Sequence, residues 1–170
     1  GGEKIVMTHG EVLDQQGNFQ NDNFQNPDSP LCRQVIEYIC KPGRNQYHQT
    51  KCYFGFRYVL VETDLPLTGD EFTGVAIYSD MEQTSFFSCG NEDVNRLFSN
   101  TLWSMKSNFV DLPTDCPHRE KLAFTGDCQV FSDAALYLMD SYPVLLRWLR
   151  EAAAVEGVLE DPASFVSVTT

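Results

Sequence analysis

The hydrophobic period of this 170-residue chain changes once, near Asn91, and that single change excludes most fold classes. Before it lie four stretches of strand character, KIVMTHGEVL, CRQVIEYIC, YFGFRYVLVE and FTGVAIYSD, separated by Gly, Pro, Asn and Asp clusters. In the third, Phe56, Tyr58 and Leu60 alternate as on a strand with one buried face. In the second, Val35, Ile36, Tyr38 and Ile39 do not alternate cleanly. The Asn/Gln-rich stretch Asp14 to Pro30 reads as a long surface loop.

After the change, Val94, Leu97, Phe98, Thr101, Leu102 and Met105 mark one face of a helix that Asn91 caps and that carries Glu92 and Asp93 in its first turn. A second helical pattern places Val130, Phe131, Ala134, Ala135 and Leu138 in line, with Thr125 as its cap and Asp127 in its first turn. A third begins at Ser141, tolerates Pro143 in its opening turn and buries Val144, Leu145, Trp148, Leu149 and Ala152. Arg147 and Arg150 face water there, and Gly157 ends the helix. Strands first and helices second, without alternation, predict an antiparallel β module followed by an α domain and exclude a doubly wound sheet. Three helices with wide apolar faces would leave much of that surface uncovered, so more helices and self-association are both expected.

Composition narrows the function. Twenty-four acidic residues against 12 Lys and Arg give a net charge of −12, and no cluster of cations offers a surface for nucleic-acid phosphates. No apolar run reaches membrane-span length. Six cysteines without a CxxC pair read as free thiols, which favours a reducing cytoplasmic setting; a mature periplasmic or secreted form would also lack a signal segment. The spacings of Cys116, His118 and Cys128 match no usual zinc ligand pairs, so no metal or other cofactor is expected.

Between the first two helical patterns, residues 111–127 read DLPTDCPHREKLAFTGD. Asp111, Asp115, Glu120 and Asp127 are interleaved there with His118, Arg119 and Lys121. Two carboxyl groups in unlike surroundings can serve as general acid and general base, and glycoside hydrolysis is the commonest such chemistry. Pro117 disfavours helix at Cys116, so an extended segment is expected to let Asp115 and Glu120 converge on a ligand. The other reading of the same residues is a structural turn, with Asp111 and Asp115 bonding nearby backbone and Asp127 stabilising a helix start. Cys116 reads as a buried thiol, His118 as an orienting or substrate-facing group, and His9 and His48 as ordinary strand or loop histidines. Most aromatics at helical spacing belong to a core, whereas Phe124, inside the charged loop, is the best stacking candidate.

The stretch DLPTDCPHREKLAFTGDCQVFSDAALYLMD resembles the signature of bacterial α-L-rhamnosidases, glycoside hydrolase family 78. GFRYVLVE, YSDMEQTSFFSCGNEDVNRLFSN and PVLLRWLRE resemble further segments of that family. The resemblance implies a partial antiparallel β-sandwich over residues 1–85 and the first helices of an (α/α)6 barrel over 86–170. It implies that Glu120 is the general acid, that Asp115 and Asp127 hold rhamnose hydroxyls, and that Arg119 stands beside the acid. Where the family usually has Gly-Trp this chain has Ala123-Phe124, a smaller stacking ring without an N–H donor. The resemblance further implies a rhamnose-containing glycoside as partner, inversion at the anomeric carbon and a general base on a helix downstream, which would leave this segment inactive alone. A noncatalytic carbohydrate-binding segment and another inverting glycosidase on the same barrel are the competing readings.

Overall fold

A computed structural model describes residues 1–24 and 33–155 of the chain. These divide into two compact units, one of residues 1–77 together with 116–121, the other of 78–115 and 122 onward. Gly157 and Cys32 lie outside the described residues.

The first unit is built on an antiparallel sheet. Strand β1 (Lys4–Gly10) is followed by a short hairpin, β2 (Val12–Leu13) and β3 (Phe19–Gln20), and by a single 3-10 turn at Asp22–Phe24. Strands β4 (Val35–Ile39) and β5 (Tyr58–Glu62) then pair with the two edges of β1, giving the order β4-β1-β5. Met7 faces Ile36 on one side and Val61 on the other, so the β1 register is fixed from both edges. At the end of β1 the backbone needs glycine, because a Cβ on Gly10 would come within 2.6 Å of the Phe19 ring. The stretch from Asp14 is thus not wholly a surface loop. It contains β3 and the fully buried Phe24, while residues 25–30 lie outside the described ones.

Two strand expectations fail. Residues 72–80 form no strand, and Val75 and Ile77 are exposed; both edges of β1 are already taken, and no described strand supplies a ladder for this stretch. Phe56, Tyr58 and Leu60 do not share a buried face either: β5 begins only at Tyr58, and Phe56 and Leu60 are exposed. Residues 53–57 instead run as irregular chain with a different role, described below.

The second unit is helical. Helix α1 (Glu92–Asn108) starts where Asn91 accepts hydrogen bonds from the Asp93 and Val94 amides, as its sequence requires. A tight hairpin follows, β6 (Phe109–Val110) and β7 (Leu112–Pro113), turning on Asp111 at φ +71°. Helix α2 (Thr125–Leu138) is capped by Phe124 without a side-chain bond, so Thr125 is the first helical residue and not the cap. Helix α3 (Tyr142–Val155) has Pro143 in its first turn, where a missing N–H costs nothing. The core gathers Met81, Leu102, Met105, Phe109, Cys128, Ala135, Leu138, Met139, Leu145 and Trp148. Expected face residues that fall outside it include Leu97, Leu149 and Val130, the last 86% exposed. Ala153, not Ala152, completes the buried face of α3. Arg147 and Arg150 face water as expected. Among the described residues no helix is long and apolar enough to cross a membrane.

Met105→Ala should cost about 2–5 kcal/mol, since the side chain is 1% exposed at the centre of this core. Asn91→Ala should cost about 1 kcal/mol and Thr125→Ala less than about 0.5, because only Asn91 bonds the first-turn amides. Urea unfolding of the intact polypeptide checks the series, and an equal loss for the two cap variants would contradict this assignment.

Candidate active site

The acidic stretch is a detour of the chain. Six residues, Cys116–Lys121, cluster with the sheet unit, while Asp115 and Leu122 on either side belong to the helical unit. A reciprocal pair of bonds closes the neck: the Asp115 amide donates to the Leu122 carbonyl at 3.0 Å, and the Leu122 amide donates to Asp115 Oδ1 at 2.9 Å. Pro117 keeps Cys116 out of a helix as expected, yet residues 117–120 form a turn and not an extended segment. The Glu120 amide donates to Cys116 Sγ at 3.2 Å and closes that turn, which gives the half-buried thiol a structural task. Lys121 ends it at φ +54°. A non-glycine residue held there costs on the order of 1–3 kcal/mol, so its surroundings must over-determine it.

They do so through contacts within the sheet unit. The Gly55 amide donates to the Pro117 carbonyl at 3.0 Å, and a Cβ on Gly55 would lie 2.7 Å from the Pro117 ring. Lys121 Nζ donates to the Tyr53 carbonyl at 2.6 Å and lies over the rings of Tyr53 and Phe54. The His118 ring packs on Phe24, with centroids 4.7 Å apart. His118 Nδ1 accepts the Arg119 amide at 2.7 Å, which leaves the proton on Nε2, 3.8 Å from a Glu11 carboxylate oxygen. His118 is thus engaged with Phe24, the Arg119 amide and Glu11.

The carboxylates are sorted among different partners. Arg119 and Glu120 come together, Nη2 donating to Oε1 at 3.0 Å, with both side chains partly open to solvent at 45% and 31% exposure. Asp111 is taken by α3: Arg147 makes a two-pronged pair with it and also bonds Glu151 at 2.7 Å. Asp115 Oδ1 serves the neck, a backbone bond spanning seven residues and not a local Asx turn. Asp127 stands in the first turn of α2, where a negative charge meets the helix N-terminus favourably, and Phe124, 44% exposed, caps the same helix. Among the described residues no group of three His, Cys, Asp or Glu is placed to hold a metal ion.

Sequence reasoning gave no role to Tyr53, Phe54 and Gly55, and foresaw neither the long-range bond of Lys121 nor the burial of His9. Gly55 inside an aromatic run was the available signal, since glycine in a strand pattern often marks close approach of another backbone. His9 is not an ordinary strand histidine. It is buried, stacked on Phe54 at 4.4 Å, and its Nδ1 and its amide both bond the Gln34 carbonyl, at 2.8 and 2.9 Å. Burial pushes its pKa below the ordinary histidine value, the Gln34 carbonyl pulls it back, and the charge of Lys121 pushes it down again.

Two family models divide the chain: the bacterial α-L-rhamnosidase concanavalin-like domain matches residues 1–78, and the bacterial α-L-rhamnosidase six-hairpin glycosidase domain matches residues 82–163. The chain belongs to the bacterial α-L-rhamnosidase family. An α-L-rhamnosidase of Formosa agariphila is 32% identical over 154 residues, covering 88% of this chain and 16% of that protein. One from Streptomyces avermitilis is 32% identical over 97% of the chain and 16% of the relative. Among solved structures, native α-L-rhamnosidase from Aspergillus terreus superposes with a TM-score of 0.81 at 34% identity, over 90% of this chain and 18% of that one. The Streptomyces avermitilis α-L-rhamnosidase complexed with L-rhamnose gives 0.80 at 31% identity, over 87% and 14%. The chain thus spans about a sixth of the length of the curated rhamnosidases it matches. The partial sandwich and first barrel helices expected from the sequence agree with these structures.

The buried His9 gives this chain a pH dependence with a defined sign. Because the folded pKa is lowered, the fold disfavours the imidazolium; the His9 contribution is intact above about pH 6.5, the unfolded value, and is lost as pH falls from there to the lowered folded pKa. His9→Phe keeps a stacking ring and cannot titrate. Its urea midpoint should fall less than that of the natural protein between pH 7.5 and 5.5, and parallel curves would refute the assignment.

Proposed function

We propose that the polypeptide carrying this chain is an inverting glycoside hydrolase that releases terminal α-L-rhamnose, with Glu120 as its general acid. The observation that carries this reading is the position of Glu120. It lies in the signature stretch of the family, on a turn anchored before and after it, with Arg119 bonded to one carboxyl oxygen and the side chain partly open. Arg119 holds Oε1, so the transferable proton is assigned to Oε2, which meets the glycosidic oxygen as the bond breaks.

Inversion needs a second carboxylate, roughly 6.5–9.5 Å from the acid, with room for water between them. Asp111 is committed to Arg147 and Asp115 to the neck, so neither is assigned as base. The base is proposed to lie outside these 170 residues, in keeping with the small share of each relative that the chain spans. Asp115, Arg119, Asp127 and Phe124 are proposed to bind the sugar, on the strength of their match to the family signature. Phe124 would stack through an exposed ring face. The free Cys40, Cys52, Cys89, Cys116 and Cys128 support a reducing, cytoplasmic setting as part of the same proposal.

Glu120→Gln in the intact polypeptide should lower kcat by about 10²–10⁴-fold on an alkyl α-L-rhamnoside, the usual contribution of general acid catalysis. An unchanged rate would remove Glu120 from the mechanism. Rhamnose binding by the intact natural protein without turnover would favour a noncatalytic sugar-binding role, and faster turnover of an arabinoside or glucoside would reassign the substrate.

A further inference from the structure

The Lys121 side chain reaches 68 residues back along the chain to the Tyr53 carbonyl, directly beside the residue assigned above as the acid. Its ammonium lies 4.6 Å from the centroid of the Tyr53 ring and 5.4 Å from that of Phe54. The backbone at Lys121 is left-handed, a conformation that only firm surroundings maintain in a lysine.

We propose that Lys121 is a positioning residue for the Glu120 carboxyl, fixing through the Tyr53 carbonyl and the two rings the backbone from which Glu120 projects. This rests on the reading of Glu120 as general acid. Glu120 sits between two anchors: Pro117, three residues earlier, accepts the Gly55 amide, and Lys121, one residue later, holds Tyr53. The bond from the Glu120 amide to Cys116 Sγ closes the turn itself. An ammonium engaged with a carbonyl and two ring faces acts on Glu120 through geometry. Misplacement of a catalytic group by about 1 Å costs on the order of 10²-fold in rate, and an acid feels that loss only where protonation is needed.

The test compares two substrates with the intact polypeptide. An alkyl α-L-rhamnoside needs its leaving oxygen protonated, whereas a 2,4-dinitrophenyl α-L-rhamnoside leaves as a stable phenolate. Lys121→Met keeps the aliphatic stem and removes the ammonium. It should lower kcat on the alkyl substrate by about 10–100-fold and on the dinitrophenyl substrate by less than about threefold, with KM little changed on both. Tyr53→Leu, which keeps the carbonyl and removes one ring, should show the same selectivity with a smaller loss, and it carries the test should Lys121→Met fail to fold. Glu120→Gln is the reference. If it is selective for the alkyl substrate and the Lys121 and Tyr53 variants slow both substrates alike or neither, the positioning role is overturned while the acid assignment stands. If Glu120→Gln itself slows both alike, the acid assignment fails and the proposal with it.

Discussion

The two hydrogen bonds between Asp115 and Leu122 are the constraint on which the arrangement of this chain turns. They bring the chain back, after six residues, to the place it left, so the detour through Cys116–Lys121 does not disturb the order of hairpin and helix around it. Without a closed neck, α2 would begin wherever the loop happened to release it. With one, Phe124 and Asp127 keep their places at the start of α2 whatever the loop carries. An aspartate suits the task because its short carboxylate reaches a backbone amide and makes a charge-assisted bond, about twice as strong as a neutral one.

Distribution of charge follows from that geometry. Seven ionisable side chains within 17 residues would repel or quench one another if they shared one volume. The fold separates them: Asp111 goes to Arg147 on α3, Lys121 to the Tyr53 carbonyl, His118 to Phe24 and Glu11, and Asp127 to a helix start. Arg119 and Glu120 pair with each other. Within a dense acidic sequence, the Arg119 and Glu120 pair thus sits on an anchored turn.

Helix α1 was legible in the sequence because its determinants are local: an Asn cap, two acidic residues after it and a regular apolar spacing. The start of α2 was misread by one residue, since the chain enters it from the neck through an extended Phe124 and needs no hydroxyl to cap it. The strand expected over residues 72–80 failed for the opposite reason, because a strand depends on a partner and its own pattern cannot supply one. Within the signature stretch, residue types suggested a chemistry, yet the partners lay 36 residues away for Asp111 and 68 for Lys121. No reading of local spacing contains that information. Resemblance to the family filled part of the gap, because a signature motif encodes long-range geometry that single residues do not.

The replacement of the usual Gly-Trp by Ala123-Phe124 follows the same logic of positions fixed by the backbone. Phe124 is the cap of α2 with an extended backbone, so the direction of its Cα–Cβ bond is set by the helix start. A phenyl ring there offers an apolar face to the C–H groups of a sugar but no N–H to a hydroxyl. In the proposed site, recognition of hydroxyls falls instead to carboxylates, which accept strongly from O–H donors and read both distance and angle. In the proposed site, tolerance of the sugar's apolar face should be broad at Phe124, and selectivity should rest on how rigidly Asp115 and Asp127 are held. The Asp115 carboxylate is bound into the neck, and Asp127 projects from the first turn of α2.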